Sequence, residues 1–360
     1  MFRKGEPIAS TRLISVSVGL AAAAGVVIAA TRIIFSAQSM PETDLPAANV
    51  VVASYGGSFQ NAQTKALFEP YAKAMRAKIV GAAVSSYPKV KAMVESGHIT
   101  WDVVSAESSA YTNEVKNNLL QPLDYSVIKT DGIPAELRTK YGIGYMRFSM
   151  NLAWDKDKFP HGVTPAQFFD PAVKARRALM LEPEDTLEFA LMADGVKPAE
   201  LYPLDVGRAL KVIGRVKDQI VAYKGPPDIQ ALVQQGELDM AFMPNGRINN
   251  AIKAGANWTY GWDASVSDTE RWVVIRGAPH VQEAMKFINF AVQPVQQAEL
   301  ARQIPYGPTN VNALRLLDAA VAKNLPGYPD NAKLSVILNS QWWNENREPV
   351  KDRWNLYIMQ

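Results

Sequence analysis

The chain has no cysteine. That absence excludes disulfides, thiolate nucleophiles, Cys-x-x-Cys redox pairs, cysteine zinc sites and a lipid-modified N-terminal cysteine. Histidine is almost as scarce: His98, His161 and His280 stand apart from one another. No His-Glu-x-x-His helix and no Gly-x-Ser-x-Gly elbow occurs, and no nucleophile is paired with a base at recognisable spacing, so the usual hydrolase machinery lacks its parts. A Gly-Lys-Ser/Thr phosphate loop and the three-glycine dinucleotide fingerprint are also missing. Beyond residue 37 there is no internal repeat, no low-complexity tract and no apolar run of membrane-spanning length.

A basic excess is lacking too, despite a formal charge of +3 and an isoelectric point near 8.8. The first 37 residues carry Arg3, Lys4, Arg12 and Arg32 against Glu6 alone, and without them acids and bases balance. A neutral body has no electrostatic footprint for a phosphate backbone, so no nucleic-acid partner is expected. Arg3, Lys4 and Arg12 precede an uncharged run from Leu13 to Ala30, rich in Ala, Val, Ile and Gly. This is the pattern of a secretory signal peptide over residues 1–37, cleaved after Ala30 or Ala37. The alternative is a retained anchor, because the run approaches the roughly 20 residues needed to span a bilayer. Either reading exports the remainder.

What is present is a soluble composition, 48% hydrophobic and 20% charged over 360 residues, enough for two domains with cores of their own. Short apolar strands alternate with helical periods. Val50-Val51-Val52-Ala53 is followed by a glycine turn and a helix from Phe59 to Ala77 interrupted by Pro70; then come Ile79-Val80, a helix through Val90, and Trp101-Asp102-Val103-Val104-Ser105. That alternation predicts an α/β lobe with a mainly parallel sheet. Tyr141 to Asn151 reads as an extended crossing into a second lobe, which opens at Thr164-Pro165 with an N-cap threonine and a first-turn proline. Arg271-Trp272-Val273-Val274-Ile275 reads as the strand that returns. The expected organisation is lobe one at 49–143 plus 276–320, lobe two at 150–268, and a helical segment at 321–360 packing on lobe one. Two α/β lobes with two crossings make a hinged clamshell.

From Gly277 to Asn312 the chain pairs a strand end with an amphipathic helix carrying Ala284, Phe287, Ile288 and Ala291, a second short helix, and a turn at Tyr306-Gly307-Pro308-Thr309-Asn310. Together with Ser54-Tyr55-Gly56-Gly57 after the first strand and Glu182-Pro183-Glu184-Asp185 before a helix, this layout resembles the bacterial extracellular solute-binding proteins of ABC importers, in their spermidine/putrescine-type branch. The resemblance spans roughly Asn49 to Trp354. It implies a periplasmic-binding-protein-like clamshell that captures a small polar solute in the periplasm as a monomer, needs no cofactor or metal, and delivers its ligand to an inner-membrane permease driven by an ATPase. An enzyme is not expected; an exported hydrolase is the reading from another class.

The candidate ligand-binding residues are Ser54, Tyr55, Gly56, Gly57, Glu182, Asp185, Arg271 and Tyr306. The glycine turn lies at a strand's carboxyl end, where open α/β sheets bind ligands, although two glycines also simply turn a strand into a helix. By resemblance Glu182 and Asp185 match acids that pair with amines, yet acids in a first helical turn also answer the helix dipole. An aromatic at the Tyr306 position lines the cleft in similar proteins. Two departures weaken the polyamine assignment. Pro244 precedes Asn245-Gly246 where that branch has tryptophan, and the nearest match to its return-strand aspartate is Arg271. A cation there suits an anionic or zwitterionic ligand, such as an amino acid, carboxylate or phosphonate. Arg247 and Lys224 read as solvated surface charges. The adjacent tyrosines that serve ferric-ion capture on this kind of fold do not occur.

Overall fold

Twelve strands are set out along the described residues, 50–83 and 85–358 of a computed structural model; the expected signal segment lies outside them. They are β1 Val50–Ala53, β2 Ile79–Ala82, β3 Val103–Ala106, β4 Leu120–Gln121, β5 Gly142–Asp155 and β6 Arg177–Met180, then β7 Ile220–Tyr223, β8 Met240–Pro244, β9 Trp258–Tyr260, β10 Ser265–Ile275, β11 Gly307–Pro308 and β12 Ser335–Ile337. The principal order is β2-β1-β3-β10-β5-β8-β6-β7. β1 runs parallel to β2 and β3 on one side, and β6 runs parallel to β7 and β8 on the other. Between these halves lie β10 and β5, antiparallel to each other. Near Gly144 to Met146, β5 faces Glu270 and Arg271 of β10; from Met150 to Trp154 it pairs with β8. A strand of 14 residues reaches on the order of 45 Å, long enough to serve both lobes and to form the hinge between them.

Helices cover both faces of each half. Phe68, Tyr71, Trp272 and Phe287 centre one core of the first lobe, with Tyr145 stacked on Trp272 at 4.0 Å. Val51, Val104, Val273 and Ile275 form the core on the opposite face. In the second lobe Phe168, Phe189 and Phe242 fill one side, and Tyr223, Ile229 and Ile248 the other. Thr164 caps its helix as expected, accepting from Gln167 N while the Gln167 side chain accepts from Thr164 N. Pro70 does not break the first helix. The turn before it, Thr64–Phe68, widens to a π-helix and the chain runs on through Glu69–Met75, a wider turn being one way to absorb proline's missing donor and ring clash.

The chain crosses three times rather than twice. After β11 has paired with β5 at Arg147 and Met146, β12 pairs in parallel with β10 at Ser265 to Ser267, on the second lobe's side. The closing helix Ser340–Ile358 follows, and its Trp343, Val350 and Trp354 are buried in the second lobe's core. The expectation that residues 321–360 pack on lobe one is corrected accordingly. Those tryptophans find their apolar partners beside Phe189 and Val206, and the helix meets the first lobe where it packs against the helix Ser108–Lys116. Among the described residues no helix is long and apolar enough to cross a membrane.

Candidate functional site

A cavity of about 870 Å³ lies between the lobes. Its walls come from the carboxyl ends of strands, where each chain segment turns into a helix. Tyr55 follows β1, Glu107 follows β3, Glu182 to Asp185 follow β6, and Arg247 follows β8. Glu270 of β10 and Tyr306 add the hinge side.

The expected residues divide. Tyr55, Glu182, Asp185 and Tyr306 line this one cavity. Ser54 is fully buried beneath it, its backbone bonded to Ala82 and Ser85, so it shapes the turn and is withdrawn as a lining residue. Gly56 and Gly57 take φ values of 62° and 58°, in the left-handed region that favours glycine. Their contribution is to let the other lobe approach: the Gly56 carbonyl accepts from Arg247 Nη2 at 3.2 Å, and a Cβ on Gly57 would sit 2.9 Å from Arg247 Nη1. Arg271 does not line the cavity. Its Nη1 donates to Ser108 Oγ and its guanidinium lies over the Tyr111 ring, on the same face of β10 as Val273 and Ile275. The preceding residue, Glu270, faces the cleft, so the return strand presents an acid there. Trp272 is a fully buried core residue.

Glu270 is held by a chain of hydroxyls. Gln63 Nε2 donates to Tyr145 OH at 2.9 Å, that hydroxyl lies 2.7 Å from Ser105 Oγ, and Ser105 donates to Glu270 Oε2 at 2.8 Å. Tyr55 OH stands 3.4 Å from the same oxygen and accepts from Glu107 N. Asp185 occupies an unusual backbone position at φ 62°, and its buried Oδ1 has no protein partner.

Charge in the cleft falls into two groups. Glu184 forms a half-buried ion pair with Arg347, and Glu182 pairs with Lys351 at 3.2 Å. Glu107, Asp185 and Glu270 have no ion pair among the described residues. Burial, reinforced by Asp268, pushes Glu107 up to about 8; burial and the neighbouring acids raise Asp185 and Glu270 as well. In all three the shift favours the protonated form, which can both donate and accept hydrogen bonds. Against them stands Arg247, 1% exposed. It donates to Ser58 Oγ at 3.0 Å and to the Gly56 carbonyl, and among the described residues its Nε has no partner and no carboxylate pairs with it. It is therefore no surface charge, contrary to its reading from the sequence. Because it sits on the second lobe and bonds the first, it also ties the two together. A second tie runs from Ser58 Oγ to Gln230 Oε1 at 2.8 Å.

Glu107 and Arg247, the latter read as a surface charge, and Glu270 and Arg347 were not named as binding residues from the sequence. A signal existed for the first two, each placed just past a buried strand at its carboxyl end; nothing local marks the others.

Two lobes shut by side chains from each over a polar cavity define a clamshell solute-binding protein. Residues 66–329 match the family model described as bacterial extracellular solute-binding protein. The chain is 32% identical over 321 residues to the gamma-aminobutyric acid-binding protein of Pseudomonas aeruginosa, covering 86% of this chain and 90% of that protein. It is 66% identical to the PBP AgtB of Agrobacterium tumefaciens R10, solved in complex with agropinic acid, with a TM-score of 0.85 over 88% of this chain and 100% of that one. The spermidine/putrescine-binding periplasmic protein of Escherichia coli K12 is more distant, 22% identical over 78% of this chain and 83% of its own. The chain belongs to the bacterial extracellular solute-binding proteins, and it is the substrate-binding component of an ABC transporter. Such components work with a membrane permease and an ATPase.

Proposed function

We propose that this chain captures a small carboxylate-bearing solute, of the acid or amino-acid kind, and hands it on chemically unchanged. The observation that carries the reading is Arg247, a buried guanidinium at the cleft with no carboxylate partner among the described residues. A ligand carboxylate is its natural counter-ion, and a charge-assisted bond of this kind contributes about 1.5–3 kcal/mol. Glu107, Asp185 and Glu270 then face the rest of the ligand, where protonated carboxyls suit hydroxyl or amide groups and ionised ones suit an amine. Tyr55, Phe59 and Tyr306 supply aromatic walls. The acids named for the P. aeruginosa and A. tumefaciens relatives support this ligand class over polyamines.

Closure is the mechanism. Contacts from both lobes hold the shut form, which a permease distinguishes from the open one. The protein works as a monomer outside the cytoplasm, exported through residues 1–37, and neither nucleic acid nor a cofactor takes part. Calorimetric titration with agropinic acid, gamma-aminobutyric acid, spermidine and putrescine tests the reading. Saturable binding of an acid, with the ligand recovered intact by mass spectrometry, is expected. Binding of polyamines alone, or turnover of any of the four, overturns it.

A further inference from the structure

We propose that the C-terminal helix Ser340–Ile358 is a third wall of the binding cleft, and that its Arg347 latches the first lobe to the second in the closed state. This goes beyond the ligand class proposed above and rests only on capture between lobes.

The helix is rooted in the second lobe. Trp343 is fully buried and its Nε1 donates to Glu188 Oε1 at 2.6 Å, while Trp354 is 4% exposed in the same core. Trp343, Arg347 and Lys351 follow at intervals of four, so they share one face. Rooting the first therefore aims the other two. Arg347, Glu348 and Lys351 line the cavity. Arg347 and Lys351 are fastened to the loop after β6, through Glu184 and Glu182.

Arg347 then reaches across. Its Nη1 pairs with Glu184 of its own lobe, and its Nη2 donates to Ser109 Oγ on the first lobe's helix Ser108–Lys116. The Arg347 and Glu184 side chains are only 16% and 12% exposed, which sets this pair apart from solvent-screened surface pairs. The division of labour suits a reversible catch. Glu184 neutralises the guanidinium in its own lobe, so opening takes from Arg347 the bond to a neutral serine and the weaker attraction of Glu107 rather than its ion pair. Other interlobe ties join different elements: the helix Gly57–Gln63 of the first lobe to Pro226–Gln234 and Asn245–Lys253 of the second, and Asn245 to the Pro305 carbonyl of the first. An acid that engages Arg247 would draw on those ties and leave the Arg347 bond untouched.

The absence of native cysteine makes the test direct. Lys65→Cys on the first lobe and Lys211→Cys on the second, both exposed, carry spin labels that report the interlobe distance in the full chain without ligand. Arg347→Ala, Arg347→Lys and Ser109→Ala are compared in this background. The closed population should fall about fivefold or more in Arg347→Ala and Ser109→Ala, with partial rescue in Arg347→Lys. Agropinic acid should leave the first two several-fold faster. Ser109→Ala keeps the Arg347 pair with Glu184, so it decides the matter even if Arg347→Ala folds poorly. Distance distributions equal to the parent in Ser109→Ala overturn the latch, as does a shift in Arg347→Ala alone, which would make the arginine a structural element of the second lobe. The distance measurement needs no ligand, so it stands or falls apart from the role given to Arg247.

Discussion

Replacing Arg247 by methionine keeps the length and apolar packing of the side chain while removing its charge. In the closed form the guanidinium bonds Ser58 Oγ at 3.0 Å and the Gly56 carbonyl at 3.2 Å, and it is a buried cleft cation that can receive a ligand carboxylate without first leaving an acid among the described residues. Losing one charge-assisted bond costs about 1.5–3 kcal/mol, roughly 10- to 150-fold in Kd. Loss of the two interlobe bonds adds to this by favouring the open form. Stability should respond differently. Burial opposes the charge of Arg247, lowering its pKa, so the unliganded variant should melt no more than a few degrees below the parent. Lysine should fall between the two, because it keeps the charge and loses the planar fork. Titration calorimetry with agropinic acid gives the Kd, and circular dichroism gives the melting temperature. A methionine variant that binds the acid within about threefold of the parent refutes the assignment of Arg247 to the carboxylate.

Other expectations follow from the same geometry. Glu107 and Glu114 are raised to about 8 and Glu188 to about 7, all chiefly by burial. The folded form thus holds protons that the unfolded chain has already released, and stability should fall as pH rises through 7 to 8, by at most about 1.4 kcal/mol per pH unit for each group. Thermal melts at pH 5.5 and 8.5 check the sign, Glu107→Gln should flatten the slope, and a melting temperature that climbs with pH contradicts the reasoning. Gly57→Ala places a Cβ 2.9 Å from Arg247 Nη1 at φ 58°. It should cost about 1–2 kcal/mol of stability from backbone conformation alone and loosen ligand binding severalfold, both read in one set of melts with and without agropinic acid. Asp185→Asn removes a buried acid without changing size. It should raise the ligand-free melting temperature at pH 8 yet weaken agropinic acid about tenfold by calorimetry; unchanged affinity removes Asp185 from the site. Trp343→Ala should destabilise by about 3–5 kcal/mol in denaturant melts, whereas a loss under 1 kcal/mol would mean that the closing helix is not seated in the second core.

The lobes were legible because each strand of the parallel halves is a short apolar run bounded by turn residues, and Val50–Ala53 and Val103–Ala106 fall where the pattern puts them. The destination of the tail was not legible. Trp343 and Trp354 announce burial, but an apolar face carries no address, and only the fold brings Phe189 and Val206 to meet it. The same limit governs the site. Tyr55, Asp185 and Tyr306 could be placed because each stands beside a turn that shows in the sequence. Arg347 is separated by 163 residues from the Glu184 it neutralises, and no local pattern spans that distance.

The misplacement of Arg271 has a sharper cause. Side chains alternate along a strand, so an error of one residue sends a charge to the opposite face. In a half-exposed strand the polar and apolar residues would reveal the parity. β10 is covered on both sides, and Trp272, Val273, Val274 and Ile275 are all fully buried, so the run offers no alternation from which to count. The register against β5 also shifts between Glu270 and Arg271, at the point where the strand leaves one lobe for the other. Trp272 and Val274 belong to the core that contains Tyr145, while Val273 and Ile275 belong to the opposite one; that contrast puts Glu270 toward the cleft and Arg271 away from it. The basic residue that suggested an acid ligand was thus the wrong one. The proposal of an acid ligand rests instead on a different arginine, Arg247 of the other lobe, and burial, which raises the pKa of Glu270, favours the neutral form that does not repel a carboxylate as an ionised one would.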